Sequence, residues 1–213
     1  MKNWTLGLLV LTLAGCSPDY QPKIDEAAAK AAAPAKAPAA RTESAVFAGG
    51  CFWCTEADFE KVPGVISAVS GYTGGNTARP TYEQVSAGGT GHYEAVRVVF
   101  DPARVSYQRL TDFFFRTVDP TDAGGQFCDR GESYRTAIFV ASDRQRRIAI
   151  AEKAEAEQKL KRRVVTPVLR ASAFWPAEGY HQDYYKKNRL KYRFYRSRCG
   201  RDARLKQVWG GKG

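Results

Sequence analysis

The chain has to turn from strand to helix within two or three residues of position 50. An apolar run at 45–49 closes on Gly49-Gly50, and helical sequence at 55–61 follows until Pro63-Gly64 ends it. A glycine pair permits a reversal that side chains would block. The reading is therefore strand, tight turn, helix, with Cys51 at the helix start. Further strands are expected at 65–72, 95–100 and 136–140, with 164–168 as a last one, and helices at 107–117 and 143–161, the second capped by Ser142. Strands mixed with helices around one sheet give an α/β (α+β) class: a two-layer sandwich, a mixed sheet with helices packed on it. Gly-rich connections at 73–81, 87–91 and 120–133 are long enough to carry function.

One domain is expected, at 45–199. A domain of about 150 residues buries roughly two-thirds of its unfolded surface, so it needs neither disulfide nor metal to hold together. The five cysteines, Cys16, Cys51, Cys54, Cys128 and Cys199, are on this reading free for chemistry, and their odd number and uneven spacing are unlike a secreted disulfide framework. Net charge is +11, yet residues 186–206 hold ten Lys and Arg against Asp202 alone, so the basicity is local and 200–213 reads as a basic tail.

The first residues read as an address. Lys2 precedes an apolar run at 6–14, too short for a bilayer but suited to a secretory signal. It ends in Leu13-Ala14-Gly15-Cys16, which resembles the lipobox of bacterial lipoproteins. That resemblance implies a signal peptide at 1–15 and lipid on Cys16, hence a periplasm-facing protein anchored in the cell envelope. Ser17 resembles the pattern of lipoproteins sent to the outer membrane. Residues 16–44 are Ala/Pro/Lys-rich and have little to bury, as a spacer would.

The hexapeptide Gly49-Gly50-Cys51-Phe52-Trp53-Cys54 concentrates the chemistry. A cysteine at a helix N-terminus faces unpaired amides and the positive end of the dipole, which favour thiolate, the nucleophilic form. Phe52 and Trp53 beside it suit a small apolar group such as a methyl. Cys54, one turn on, is a possible disulfide partner.

GCFWC resembles the signature of A-type peptide methionine sulfoxide reductases. Matching blocks follow in order at 69–75, 82–85, 89–96, 129–131, 134–138 and 180–185, so the resemblance covers about 45–199. It implies thiol-dependent reduction of methionine S-sulfoxide, free or in proteins. Cys51 would attack, Glu94 act as acid or hydrogen-bond partner, Tyr82 and Tyr134 donate to the oxygen, Asp129 help fix the substrate, and Phe52 and Trp53 hold the methyl group. His92 is expected to order its loop rather than act as a base, and His181 to start a helix near the site. Attack leaves a sulfenic acid that a second thiol condenses to a disulfide. The family's Gly-rich tail with two recycling cysteines is replaced here by Arg198-Cys199-Gly200-Arg201, with one. Cys199, in a mobile-looking tail and acidified by neighbouring positive charge, is expected to resolve Cys51 first, with Cys54 then exchanging. No cofactor is called for beyond an external thioredoxin-like dithiol, which export implies is an envelope thiol carrier. The protein is expected to be a monomer that repairs oxidised envelope proteins.

Three other readings weigh less. A Cys₄ metal site would want two close pairs, and only Cys51–Cys54 is one. Nucleic-acid binding through 186–201 conflicts with export, and a basic surface against anionic lipid is the plainer account. A general CxxC thiol-disulfide oxidoreductase leaves Tyr82, Glu94 and Tyr134 without a role.

Overall fold

The computed structural model describes residues 41–210. The expected signal peptide, the lipid attachment at Cys16 and the linker up to residue 40 lie outside the described residues.

The first strand, β1 (Glu43–Gly49), leads through Gly50 and Cys51 into α1 (Phe52–Phe59), and β2 (Val65–Thr73) follows. Next come α2 (Tyr82–Ala87), β3 (Tyr93–Phe100) and α3 (Tyr107–Arg116). Two short strands, β4 (Gly125–Gln126) and β5 (Asp129–Arg130), pair with each other before β6 (Thr136–Val140) and α4 (Asp143–Leu160). The chain then runs through β7 (Val168–Arg170), β8 (Phe174–Pro176), α5 (Tyr184–Lys187), α6 (Arg189–Arg198) and α7 (Arg201–Trp209). The main sheet has the order β7-β6-β1-β3-β2-β8. Every pairing is antiparallel except β6 with β7, so the sheet is mixed, as expected.

Phe47 of β1 stacks on Phe59 of α1 at 4.9 Å and on Phe114 of α3 at 5.1 Å, and all three are fully buried. Each such side chain contributes roughly 1.5–3 kcal/mol by leaving water. That cluster fixes α1 against the sheet and so fixes the end of α1 that begins at Cys51. Ser106 caps α3 and Ser142 caps α4, each accepting the N–H three residues on.

Three expectations are corrected. The strand expected at 164–168 lies at Val168–Arg170, and the last strand is the unforeseen Phe174–Pro176: Pro167 has no N–H to give, and Val165 donates to Pro120 instead of to the sheet. Of the segment read as a tail, residues 201–209 are the helix α7, packed on the domain. Its charges have partners on the domain, Arg204 with Asp119 and Arg201 near Asp58, and Trp209 donates to the Val118 carbonyl at 3.2 Å. Nor are all cysteines of the domain free, since Cys128 and Cys199 are joined by a disulfide across 71 residues.

Candidate active site

Gly50 has φ +79°, and a β-carbon on it would meet the Gln126 side chain at 2.5 Å, so the turn into α1 accepts only glycine. The turn places Cys51 as the N-cap of α1, its carbonyl accepting from the N–H groups of Cys54 and Thr55 at 3.2 Å. Both thiols of the pair are free and buried, Cys51 at 6% exposure and Cys54 at 2%.

A cavity of about 90 Å³ opens against Cys51. It is lined by Cys51, Phe52, Trp53, Tyr82, Glu94, Asp129, Tyr134 and Tyr195. The seven residues named from sequence as nucleophile, acid, donors, apolar wall and substrate anchor thus meet in one place, drawn from the start of α1, α2, β3, β5 and the loop before β6. With about 30 Å³ for each water, the space suits a methyl-sized group and its sulfur. A larger cavity of about 650 Å³, beside Lys61, Arg104 and Arg109, contains none of them.

Glu94 is 3% exposed and accepts the backbone N–H of Phe52 at 2.9 Å. Burial pushes its carboxyl up to about 8, helped by Asp129 and Cys54 and opposed by the Phe52 N–H. It is therefore a proton donor at neutral pH. Burial, then the charge of Glu94, likewise keeps the Tyr82 and Tyr134 phenols protonated. Asp129 is also raised by burial, against the hydrogen bond it accepts from Tyr195 Oη.

The helix start does not make Cys51 the anion of its pair. Burial raises its thiol, and the hydrogen bond to Cys54 and the charges of Cys54 and Glu94 push the same way. Cys54 is instead lowered to about 7, first by the Cys51 hydrogen bond and then by Arg201 and Arg196, against burial. With both groups buried, desolvation outweighs the half-charge of a helix terminus at Cys51, while Cys54 has full cations near it.

The apolar wall is set by residues from the end of the chain. Trp53 stacks on Tyr184 at 3.7 Å and lies edge-on to Tyr195 at 5.7 Å, and its indole N–H donates to His181 Nδ1 at 3.0 Å. His181 also packs on Phe52 and Tyr82, at 4.9 and 4.5 Å between ring centres. It sits in the turn before α5 rather than opening that helix. Tyr195 escaped the sequence reading because its basic surroundings pointed to a solvated surface. The signal available was the spacing of Tyr192 and Tyr195 on one face of a helix. His92 does order its loop, accepting from Gly75 N–H and pairing with the Thr77 carbonyl at 2.8 Å.

Cys199 is not a mobile thiol. It is bonded to Cys128, and the two sulfurs lie 3.8 and 3.9 Å from the Asp129 carboxylate. The cysteines of the domain divide into one buried dithiol and one disulfide at the surface, so no four-thiolate metal site forms.

Residues 43–213 match the sequence family described as peptide methionine sulfoxide reductase. A peptide methionine sulfoxide reductase MsrA 2 of Caulobacter vibrioides is 57% identical over 182 residues, 85% of this chain and 92% of that protein. Another, of Rhizobium meliloti, is 55% identical over 172 residues, 81% and 86% of the two chains. The fold is similar to the crystal structure of Mxr1 from Saccharomyces cerevisiae in reduced form, with TM-score 0.68 and 31% identity over 71% of this chain and 88% of that one.

Proposed function

The chain belongs to the A-type peptide methionine sulfoxide reductases, enzymes that return methionine S-sulfoxide to methionine, and on that premise we propose that Cys51 is its nucleophile. The observation that carries the assignment is the shared cavity, which holds a thiol, a protonated carboxyl and two phenols around a space of methyl-sulfur dimensions.

The substrate methyl lies between Phe52 and Trp53, and its oxygen faces Glu94, Tyr82 and Tyr134. The Cys51 sulfur attacks the substrate sulfur while Glu94 protonates the oxygen, and the two phenols stabilise the charge that develops on it. The hydroxyl then passes from the substrate sulfur to the Cys51 sulfur as the substrate S–O bond and the transient S–S bond break, so methionine departs, Cys51 is left as a sulfenic acid, and the Cys51 thiol proton restores Glu94. Asp129, held by Tyr195, orients the rest of the substrate. Cys54 is then the resolving thiol: its sulfur bonds to Cys51, the S–O bond breaks, and the oxygen leaves as water. This order replaces the expected one in which Cys199 acts first, because the Cys199 sulfur is already bonded to Cys128. The Cys51–Cys54 disulfide is returned to thiols by an external thioredoxin-like dithiol.

The protein acts from the cell envelope on oxidised proteins there, anchored by lipid on Cys16, a reading supported by the Leu13-Ala14-Gly15-Cys16 sequence. Cys16→Ala should release it from the membrane fraction or leave it unprocessed; a processed variant retained on membranes in high salt sinks the anchor. For the site itself, mass mapping after one equivalent of substrate without reductant should find a Cys51–Cys54 disulfide. A bond from Cys51 to any other cysteine overturns the assignment of Cys54.

A further inference from the structure

Arg201 is 2% exposed, the largest of the fully buried side chains among the described residues. Its Nη2 donates to the Thr117 carbonyl at 2.8 Å, and both terminal nitrogens lie 3.4 Å from the Gly49 carbonyl, just ahead of Cys51. Its Nε has no hydrogen-bond partner among the described residues. A guanidinium taken out of water needs an opposite charge, since the unpaired cation is strongly disfavoured. The nearest carboxylate, Asp58, stands 3.9 Å from Nε and is already taken by Arg196, whose Nη1 donates to both its oxygens at 2.9 and 3.1 Å. Asp202 also pairs with Arg196 but is largely exposed. Two guanidiniums therefore share one buried carboxylate, Asp202 meets only Arg196 and from the exposed side, and Arg201 is left without a carboxylate of its own. Cys54 lies one turn before Asp58 on α1 and packs in a cluster with Cys51, Ala57 and Tyr192, whose hydroxyl accepts from Arg196.

We propose that Arg201, with Arg196, is a positioning residue that holds Cys54 as a thiolate, ready to attack the sulfenic acid on Cys51. The inference rests on the assignment of Cys54 as the resolving thiol. Arg196 and Arg201 both reach Asp58, one helical turn from Cys54 on α1, Lys61 meets Asp58 from the surface, Tyr192 packs in the Cys54 cluster, and Cys51 is the hydrogen-bond partner of the thiol. Asp58 opposes the two cations, and the net effect lowers the thiol to about 7. A thiolate near ambient pH is the form best suited to thiol exchange.

The test uses the full chain carrying Cys51→Ser, with alkylation of Cys54 by iodoacetamide followed against pH by peptide mass mapping. Arg201→Met should slow alkylation about fivefold at neutral pH, as a loss of one unit in acidity takes the thiolate from about half to about a tenth, and Arg201→Lys should recover most of the loss. Asp58→Asn should speed it and move the profile to lower pH. Opposite signs from two neighbours are not what a purely structural role gives. An unmoved profile in a folded Arg201→Met overturns the proposal. If that variant does not fold, Arg196→Met and Asp58→Asn decide, and unmoved profiles in both overturn it equally. The resolving role is judged separately: in the protein with Cys51 intact, absence of a Cys51–Cys54 bond after substrate defeats that reading, whatever the alkylation profile shows.

Discussion

Trp53 and His181, 128 residues apart, are joined by one hydrogen bond from the indole N–H to Nδ1 at 3.0 Å. The bond fixes the imidazole with its proton on Nε2, and burial holds the ring neutral by lowering its affinity for a second proton. A second proton would need Nδ1 and face it with the indole N–H. The apolar wall beside Cys51 therefore keeps this hydrogen bond only while His181 is neutral.

His181→Leu should weaken substrate binding more than turnover, raising KM by roughly tenfold, the cost of about one buried hydrogen bond. Steady-state kinetics check it. A variant that lowers kcat and leaves KM alone would place His181 in the chemistry instead of in the wall.

Cys51→Ser should leave less than about one per cent of the activity, because a hydroxyl has no accessible anion near neutral pH and the remaining groups only bind and position. The fold should be kept, since serine nearly matches cysteine in volume. Activity well above that level in a folded variant rejects Cys51 as nucleophile.

The elements set by local pattern were legible in the sequence: β1, β3, α3 and α4 follow from apolar spacing, glycine turns and the Ser142 cap. The cavity residues were legible only through family blocks, because nothing local separates Glu94 from a solvated strand carboxylate. The end of the chain was misread for a physical reason. Its charge suggested solvation, but Arg201, Arg196 and Arg204 find carboxylates from α1 and the loop after α3, and such pairs are set by tertiary structure alone. The Cys128–Cys199 bond was hidden likewise, as spacing cannot tell which distant cysteines meet.

Breaking the Cys128–Cys199 bond should cost about 2–4 kcal/mol, since it closes a loop across 71 residues and restricts the unfolded chain. Urea unfolding of Cys128→Ser against the oxidised protein measures it. A midpoint unchanged by the substitution would mean that the bond constrains nothing the fold does not already hold.

The last prediction concerns Glu94 and pH. Its carboxyl ionises near the ordinary value of 4.5 in the unfolded chain and near 8 in the folded one. Between these values the folded protein keeps a proton that the unfolded chain has released, so this group's contribution to stability is complete below the lower value and is lost as pH rises through the window. The same proton is the one proposed to go to the sulfoxide oxygen. The fraction of enzyme that carries this proton therefore falls as pH passes about 8. Because the Cys51 thiol, raised by burial, releases its proton more readily as pH climbs, single-turnover rates should rise with pH, bend to a plateau as Glu94 ionises near 8, and fall only once Cys51 has also ionised. Glu94→Gln separates them: an amide keeps the shape and can still accept the Phe52 N–H, but it has no proton to deliver. The rate should drop roughly 10²–10³-fold at neutral pH, as expected for loss of a general acid, and the bend should vanish, leaving a rate that rises with pH until Cys51 has ionised. If Glu94→Gln keeps the bend, another group carries the proton, and Glu94 serves only to hold the Phe52 amide and the turn that presents Cys51.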